Sequence, residues 1–285
     1  MNMKITVTGA AGRLGQVVVG ALHAAGHEVI ATDQFYTRDL PVRVELLNLS
    51  DADGCYRLLE GSEVLVHLAN HPGVNALKPQ TGYLNNVTAN VNVFQASFAT
   101  GVRKIVYASS IQAISGVRFE TGKDGAFPPS QLPYLPLDGQ LPQNPGNLYG
   151  ASKVAGENLL AYYAKFHGLS TVSIRFPALI RPSHAQWDQD RIRHDTSLDE
   201  GFAYLALPDA AQLVAAVVKA NLPGYRAYLP ASIGTTLSPM SIDEIIARYY
   251  PEIPQRELGQ FDNLVNVGDI TRDTGWIPKC NLYGR

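Results

Sequence analysis

The chain has 285 residues and near-balanced charge, Lys+Arg 23 against Asp+Glu 25, for a formal net charge of −2. At 46% hydrophobic and 17% charged residues it can bury a large core, which excludes disorder, collagen-like repeats and a disulfide scaffold. The lack of a basic excess argues against nucleic-acid binding, and Cys55 and Cys280, without C-x-x-C spacing, read as the reduced thiols of a cytoplasmic protein.

Lys4–Thr8 reads as the first buried strand and is too short for the apolar core of a signal peptide. A helix follows over Leu14–Ala25. The longest apolar stretch, Gln16–Val29, is broken by His23, Gly26, His27 and Glu28, so no membrane span is expected. Strands over Glu28–Thr32 and Val42–Leu47, a helix over Cys55–Leu59 and a strand over Val64–Ala69 come next. The alternation continues with a helix at Val87–Thr100, a strand at Lys104–Ser109, a helix at Ala151–His167 and a strand at Thr171–Phe176. Strand alternating with helix specifies an α/β fold with a parallel sheet covered on both faces. Such a sheet binds ligands at the carboxyl ends of its strands, where strand order reverses.

One segment breaks the rhythm. Residues 117–147 carry Pro128, Pro129, Pro133, Pro136, Pro142 and Pro145 with little periodicity, and read equally as a wall of the site or as a surface insertion. After Arg181 the chain turns polar, with Asp188, Asp190, Arg191, Arg193, His194 and Asp195 crowded together. A helix at Asp209–Ala220, a strand at Tyr225–Leu229 and a helix at Ser241–Tyr249 complete the reading; Ser241 and Glu244 form a capping box. His184 and His194 beside the acidic residues do not match a metal-ligand spacing, so no metal is expected.

Thr8-Gly9-Ala10-Ala11-Gly12-Arg13-Leu14-Gly15 lies between the first strand and the first helix. Gly9 permits a tight turn, Gly12 lets backbone approach a pyrophosphate, and Gly15 lets the helix pack close to the sheet. The free N–H groups and the helix dipole then hold phosphates. Asp33, about 20 residues on at the end of the second strand, is placed to meet the ribose hydroxyls of an adenosine. Its charge would repel a 2′-phosphate, which favours NAD over NADP, although Arg38 stands nearby. The expectation is a Rossmann-type doubly wound sheet, with residues 1–175 as an NAD-binding domain and 176–285 as a small substrate lobe interleaved with the last strand and helix of the sheet.

Tyr149 and Lys153 stand one helical turn apart. A neighbouring ammonium stabilises a phenolate, so the pair can move a proton to or from an alcohol oxygen. Ser109 and Ser110 close a strongly apolar strand at the carboxyl edge of the sheet, where Ser110 can bind the substrate oxygen that Tyr149 serves.

With these residues in place the sequence resembles the extended short-chain dehydrogenases/reductases, the NAD-dependent epimerase/dehydratase family, over nearly its whole length. The resemblance adds Asn48-Leu49 near adenine and Leu68-Ala69-Asn70 along the cofactor. It also takes in Asn85-Asn86-Val87 with Asn92-Val93, Glu157, Arg175-Phe176-Pro177, and the closing Asp269-Ile270 with Gly275-Trp276-Ile277-Pro278. It implies a cofactor site of Gly9, Ala11, Gly12, Arg13, Leu14, Gly15, Asp33, Asn48, Leu49, Leu68, Ala69, Asn70, Asn86, Ser109, Tyr149, Lys153, Phe176 and Pro177. In it Tyr149 would be the catalytic acid/base, Lys153 would bind the nicotinamide ribose and lower the Tyr149 pKa, and Ser110 would orient the substrate. A soluble homodimer through the helices at Val87–Thr100 and Ala151–His167 is also implied.

Two departures bear on substrate. The family's S-S-x-x-V-Y-G becomes Ser109-Ser110-Ile111-Gln112-Ala113-Ile114-Ser115-Gly116, where Gln112 reads equally as a substrate contact or a solvated amide. Only 22 residues separate Arg181 from Tyr204, which resembles short members such as uronate dehydrogenases rather than nucleotide-sugar epimerases. Arg175, Arg181, Arg191 and Arg193 are candidates to bind a substrate carboxylate or phosphate. The expected function is NAD-dependent oxidation of a sugar-type hydroxyl. The alternatives are a nucleotide-sugar 4-epimerase and a catalytically silent NAD(H) sensor or partner-binding protein.

Overall fold

Valine, isoleucine and threonine crowd the strand segments, and their side chains are buried on both faces of the sheet they build. The computed structural model describes residues 2–71, 78–115, 132–184, 198–257 and 262–283. Much of the Pro-rich segment (Pro128 and Pro129 included), Gly116, and the cluster of Asp188, Asp190, Arg191, Arg193, His194 and Asp195 lie outside the described residues.

Strands β1 (Lys4–Thr8), β2 (Glu28–Asp33), β3 (Val44–Leu46), β4 (Val64–His67), β5 (Lys104–Ser110), β6 (Ser170–Phe176) and β9 (Tyr225–Tyr228) form one sheet in the order β3-β2-β1-β4-β5-β6-β9. Every pairing is parallel. A second, two-stranded parallel sheet joins β7 (Ala178–Ile180) to β8 (Tyr204–Ala206). The helices are α1 (Arg13–Ala24), α2 (Ala52–Leu59), α3 (Pro79–Ala99), α4 (Gln112–Ser115), α5 (Leu148–His167), α6 (Leu207–Lys219), α7 (Ile242–Tyr249) and α8 (Gly268–Thr274). Because β1 pairs with both β2 and β4, the strand order reverses there, and a crevice opens beyond the carboxyl ends of those strands.

Alternate strand residues feed two cores. Ile5, Val7, Val66 and Val106 pack with α1 and α6 on one face, and Leu65, Ile105 and Tyr107 pack with α2, α3 and α5 on the other. The carboxylate of Asp209, in the first turn of α6, accepts hydrogen bonds from Ser232 Oγ (2.6 Å) and from the Lys279 and Cys280 N–H groups (3.0 and 3.1 Å). Trp276 Nε1 donates to the Asp209 carbonyl at 3.1 Å. These bonds fasten the Gly275-Trp276-Ile277-Pro278 segment to the main sheet's covering helix. Among the described residues, no helix is long and apolar enough to cross a membrane.

The structure departs from the sequence expectations at several ends. α3 begins at Pro79, eight residues before the expected Val87, and α5 begins at Leu148, which places Tyr149 in its first turn. β7, β8, α4 and α8 were not expected; the two strands span three residues each, too few for a period to register.

His67 is fully buried between the helix layer and the sheet. Its Nδ1 meets Thr8 Oγ1 at 2.7 Å, its Nε2 meets Asn90 Oδ1 at 3.0 Å, and Asn90 Nδ2 donates to the Tyr107 hydroxyl at 3.3 Å. Burial pulls the imidazole pKa down from 6.5 to about 3. A depressed folded pKa means the unfolded chain binds the extra proton, so His67's contribution is fully present above pH 6.5 and is lost as pH falls toward 3. Urea unfolding between neutral pH and mild acid should show stability dropping by roughly 1.4 kcal/mol per pH unit on this account. His67→Gln should flatten that slope; an unchanged slope would refute the assignment.

Candidate active site

The turn after β1 has the shape of a dinucleotide cradle. Gly9 has φ +71°, and a Cβ there would stand 2.6 Å from the Ala69 nitrogen. A Cβ at Gly15 would stand 2.1 Å from the Gly9 carbonyl oxygen. Gly12 is the N-cap of α1 and supplies no side-chain cap, which leaves first-turn N–H groups available to an anion. At the end of β2, Asp33 accepts from the Ala11 N–H (3.0 Å) through one carboxylate oxygen and from the Phe35 N–H (3.1 Å) through the other. Both oxygens keep further lone pairs for ribose hydroxyls.

These groups line a cleft of about 950 Å³ that runs from Asp33 to Tyr149. Gly9, Ala11, Gly12, Arg13, Leu14, Gly15, Asp33, Asn48, Leu49, Leu68, Ala69, Asn70, Asn86, Ser109, Ser110, Tyr149, Lys153, Phe176 and Pro177 all contribute to its wall. Gln34, Phe35, Asn85 and Thr88 line it too and were not foreseen. Arg38 is exposed and is not part of the wall.

Ser110, Tyr149 and Lys153, side chains able to move a proton, stand together at the far end of the cleft. Asn147 caps α5, its Oδ1 accepting from the Gly150 N–H at 2.8 Å. A Cβ at Gly150 would stand 2.2 Å from the Gln112 carbonyl oxygen, so the first turn of α5 lies directly on α4. That contact sets Tyr149 beside Ser110, whose hydroxyl acts to lower the phenol's pKa. One turn on, buried Lys153 donates to the Ala108 carbonyl at 2.7 Å, with its Nζ 5.1 Å from the Tyr107 ring centroid and 5.4 Å from that of Tyr149.

The electrostatics are set by burial. Desolvation pushes the Tyr149 phenol up to about 12, with the Ser110 hydrogen bond acting the other way. It pulls Lys153 down to about 7, which Glu157's charge partly offsets. Lys153 Nζ, 5.4 Å from the Tyr149 ring centroid, stands where a positive charge favours a phenolate.

Two candidate substrate residues stand apart from the cleft wall. Gln112 Oε1 accepts from Asn147 Nδ2 at 3.1 Å, so the amide supports the α5 cap. Arg181 follows β7, outside the wall. Arg175 is turned inward. Its Nε and Nη2 bind the two Glu157 oxygens at 2.9 and 2.8 Å, and Nη1 donates to the carbonyls of Gly139 and Leu141. It is therefore engaged in the core and has no free edge for a substrate anion, which corrects the reading of Arg175 from sequence.

Residues 5–195 match the sequence profile of the NAD dependent epimerase/dehydratase family. The chain belongs to this family. Within it, the chain is 30% identical to an L-arabinose 1-dehydrogenase (NAD(P)(+)) of Haloferax volcanii, over 77% of this chain and 84% of that one. Its fold is similar to that of a mutant uronate dehydrogenase from Agrobacterium tumefaciens complexed with NAD, with TM-score 0.68 and 22% identity over 99% of this chain and 86% of that one. It is also similar to a UDP-glucose 4-epimerase from Thermotoga maritima, with TM-score 0.69 and 19% identity over 99% and 95% of the two chains. Family membership accounts for the order of motifs from the glycine turn to Arg175-Phe176-Pro177.

Proposed function

We propose that this protein is an NAD-dependent dehydrogenase acting on a hydroxyl of a sugar or sugar derivative. The observation that carries this reading is the convergence of Ser110, Tyr149 and Lys153 at one end of a dinucleotide-shaped cleft. In this reading residues 1–175 form the cofactor domain and 176–285 contribute the substrate lobe. The α1 N-terminus and Gly12 hold the pyrophosphate, Asp33 the adenosine ribose, Asn48 and Leu49 the adenine, and Phe176 and Pro177 the nicotinamide side. The wall at the end of β2 consists of Asp33, Gln34 and Phe35, and the Asp33 carboxylate would repel a 2′-phosphate, which supports NAD rather than NADP.

NAD, when bound, supplies the hydride acceptor and a positive ring that favours the phenolate. Ser110 hydrogen-bonds the substrate oxygen and fixes it against Tyr149. Tyr149 then takes the hydroxyl proton at its phenolic oxygen as the carbonyl forms. Lys153, steadied by the Ala108 carbonyl, binds the nicotinamide ribose and shares the proton's charge. The arabinose dehydrogenase relative supports a dehydrogenase outcome. Exposed apolar side chains on α3 and α5 (Leu84, Val91, Phe98, Tyr162 and Phe166) support a homodimer through those helices.

A panel of free sugars, sugar acids and UDP-sugars separates the outcomes. Net NADH accumulation on a free sugar or sugar acid is the expected result. Conversion of a UDP-sugar without net reduction would replace this reading with the epimerase, and failure to bind NAD would end both.

A further inference from the structure

Tyr107 lies on β5 directly before Ala108, behind the cleft wall to which Ala108, Ser109, Ser110 and Lys153 contribute. Its side chain is fully buried in the core on the α3 and α5 face of the sheet. The ring is fixed from several sides. His67, its partner across the β4–β5 pairing, lies nearly parallel to it, with centroids 5.7 Å apart and 17° between the planes. Phe94 of α3 meets it edge-on at 5.6 Å. On α5 the helix opens for the phenol at Gly156, where a Cβ would stand 2.6 Å from the Tyr107 hydroxyl oxygen. Lys153, one turn earlier on that helix, places its Nζ over the ring at 5.1 Å from the centroid, inside the ~6 Å reach of a cation–π contact.

The hydrogen bonds leave the ring one orientation. Asn90 spends its Nδ2 on the Tyr107 hydroxyl, so its Oδ1 faces His67 and the imidazole donates from Nε2. His67 Nδ1 then accepts from the Thr8 hydroxyl at the end of β1. Every polar atom of this chain has a partner, and the imidazole is neutral, as burial requires. A second cation beside Lys153 is thereby avoided.

We propose that Tyr107 is a positioning residue for Lys153, its ring face holding the ammonium against the Ala108 carbonyl at the proton-transfer end of the cleft. The inference rests on the dehydrogenase reading, in which Lys153 binds the nicotinamide ribose and shares the proton's charge. Burial works against the ammonium, which the electron-rich ring face attracts and a neutral amine forgoes. The Ala108 carbonyl at 2.7 Å fixes one N–H direction, and the ring fixes the side from which the ammonium is held. Thr8, His67 and Asn90 act only by keeping that ring in place.

The test varies the ring's electrons and its shape separately, in NADH-formation assays of the whole protein with the sugar it turns over best. Tyr107→Phe keeps the ring face and should hold kcat within about threefold of the wild type. Tyr107→Met fills similar space without a π face and should lower kcat by about ten- to thirtyfold. Because Tyr107 stands behind the wall, sugar KM should stay within about twofold in both variants. Phenylalanine analogues with successively more ring fluorines, introduced at position 107, drain the ring face while keeping its shape. Across that series kcat should fall step by step while urea unfolding midpoints stay together, a pattern that a packing role would not give. The series also keeps the test open should Tyr107→Met not fold. A flat kcat across the fluorinated series, or Tyr107→Met matching Tyr107→Phe, overturns this inference alone. Absence of NADH formation by the wild type with every sugar overturns the dehydrogenase reading, and the inference with it.

Discussion

Tyr149→Phe should lower kcat/KM for NADH formation by a factor of about 100 to 10,000 and leave NAD affinity nearly unchanged. The phenylalanine fills the same space in the first turn of α5, so the contact of Gly150 with the Gln112 carbonyl and the Asn147 cap persist. What disappears is the phenolic oxygen beside Ser110 that, in the proposed mechanism, accepts the substrate proton. Because burial, aided by the Glu200 charge, holds the phenol near 12, the free enzyme keeps Tyr149 protonated at neutral pH. The pH profile of kcat/KM should therefore rise toward alkali in the wild type, and that limb should vanish in the variant. Initial rates across pH, with NAD binding followed by protein fluorescence, check both halves. A variant retaining a third or more of the activity would remove Tyr149 from the chemistry.

The cofactor half of the site was legible because its signals are local. A strand, a glycine turn and a helix are contiguous from Lys4 to Ala24, and their spacing alone implies the close approaches seen at Gly9 and Gly15. Ser110, Tyr149 and Lys153 were legible for a similar reason, each lying at the end of a strongly patterned element. Interactions between distant elements were not. Arg175 looked like a free cation in sequence, because its partner Glu157 lies on the preceding helix and nothing local announces the pairing. The start of α3 was missed because Pro79-Gln80-Thr81-Gly82 has the composition of a loop, although Pro79 occupies the first helical position where its missing N–H does no harm. The ionisation of Tyr149 and Lys153 depends on how much protein covers them, which no residue spacing encodes.

Arg175→Leu should destabilise the fold by about 3–5 kcal/mol at neutral pH, the usual effect of breaking a buried pair from one side. Glu157 and Arg175 side chains are 0% and 5% exposed, so water does not replace the lost partner. The Glu157 carboxylate also accepts from Ser109 Oγ at 2.7 Å and Gln143 Nε2 at 3.0 Å, and Arg175 holds the Gly139 and Leu141 carbonyls. The pair thus ties the end of β5, next to Ser110, to the segment leading into α5. Arg175's hydrogen bonds and charge outweigh burial and hold Glu157 below the ordinary carboxylate pKa. In the wild type this stabilisation is therefore present above the unfolded carboxylate pKa and is lost as pH falls through the lowered folded value. Without the cation, burial dominates and lifts the Glu157 pKa above its unfolded value, so the variant is relatively most stable in acid. Urea unfolding at neutral pH and at about pH 4 should accordingly show a gap between wild type and Arg175→Leu that narrows in acid. Adding Glu157→Gln should recover part of the loss, because the buried negative charge goes with it. A gap that stays constant with pH would mean that the leucine harms packing alone and that the ion pair does not organise the segment beside Ser110.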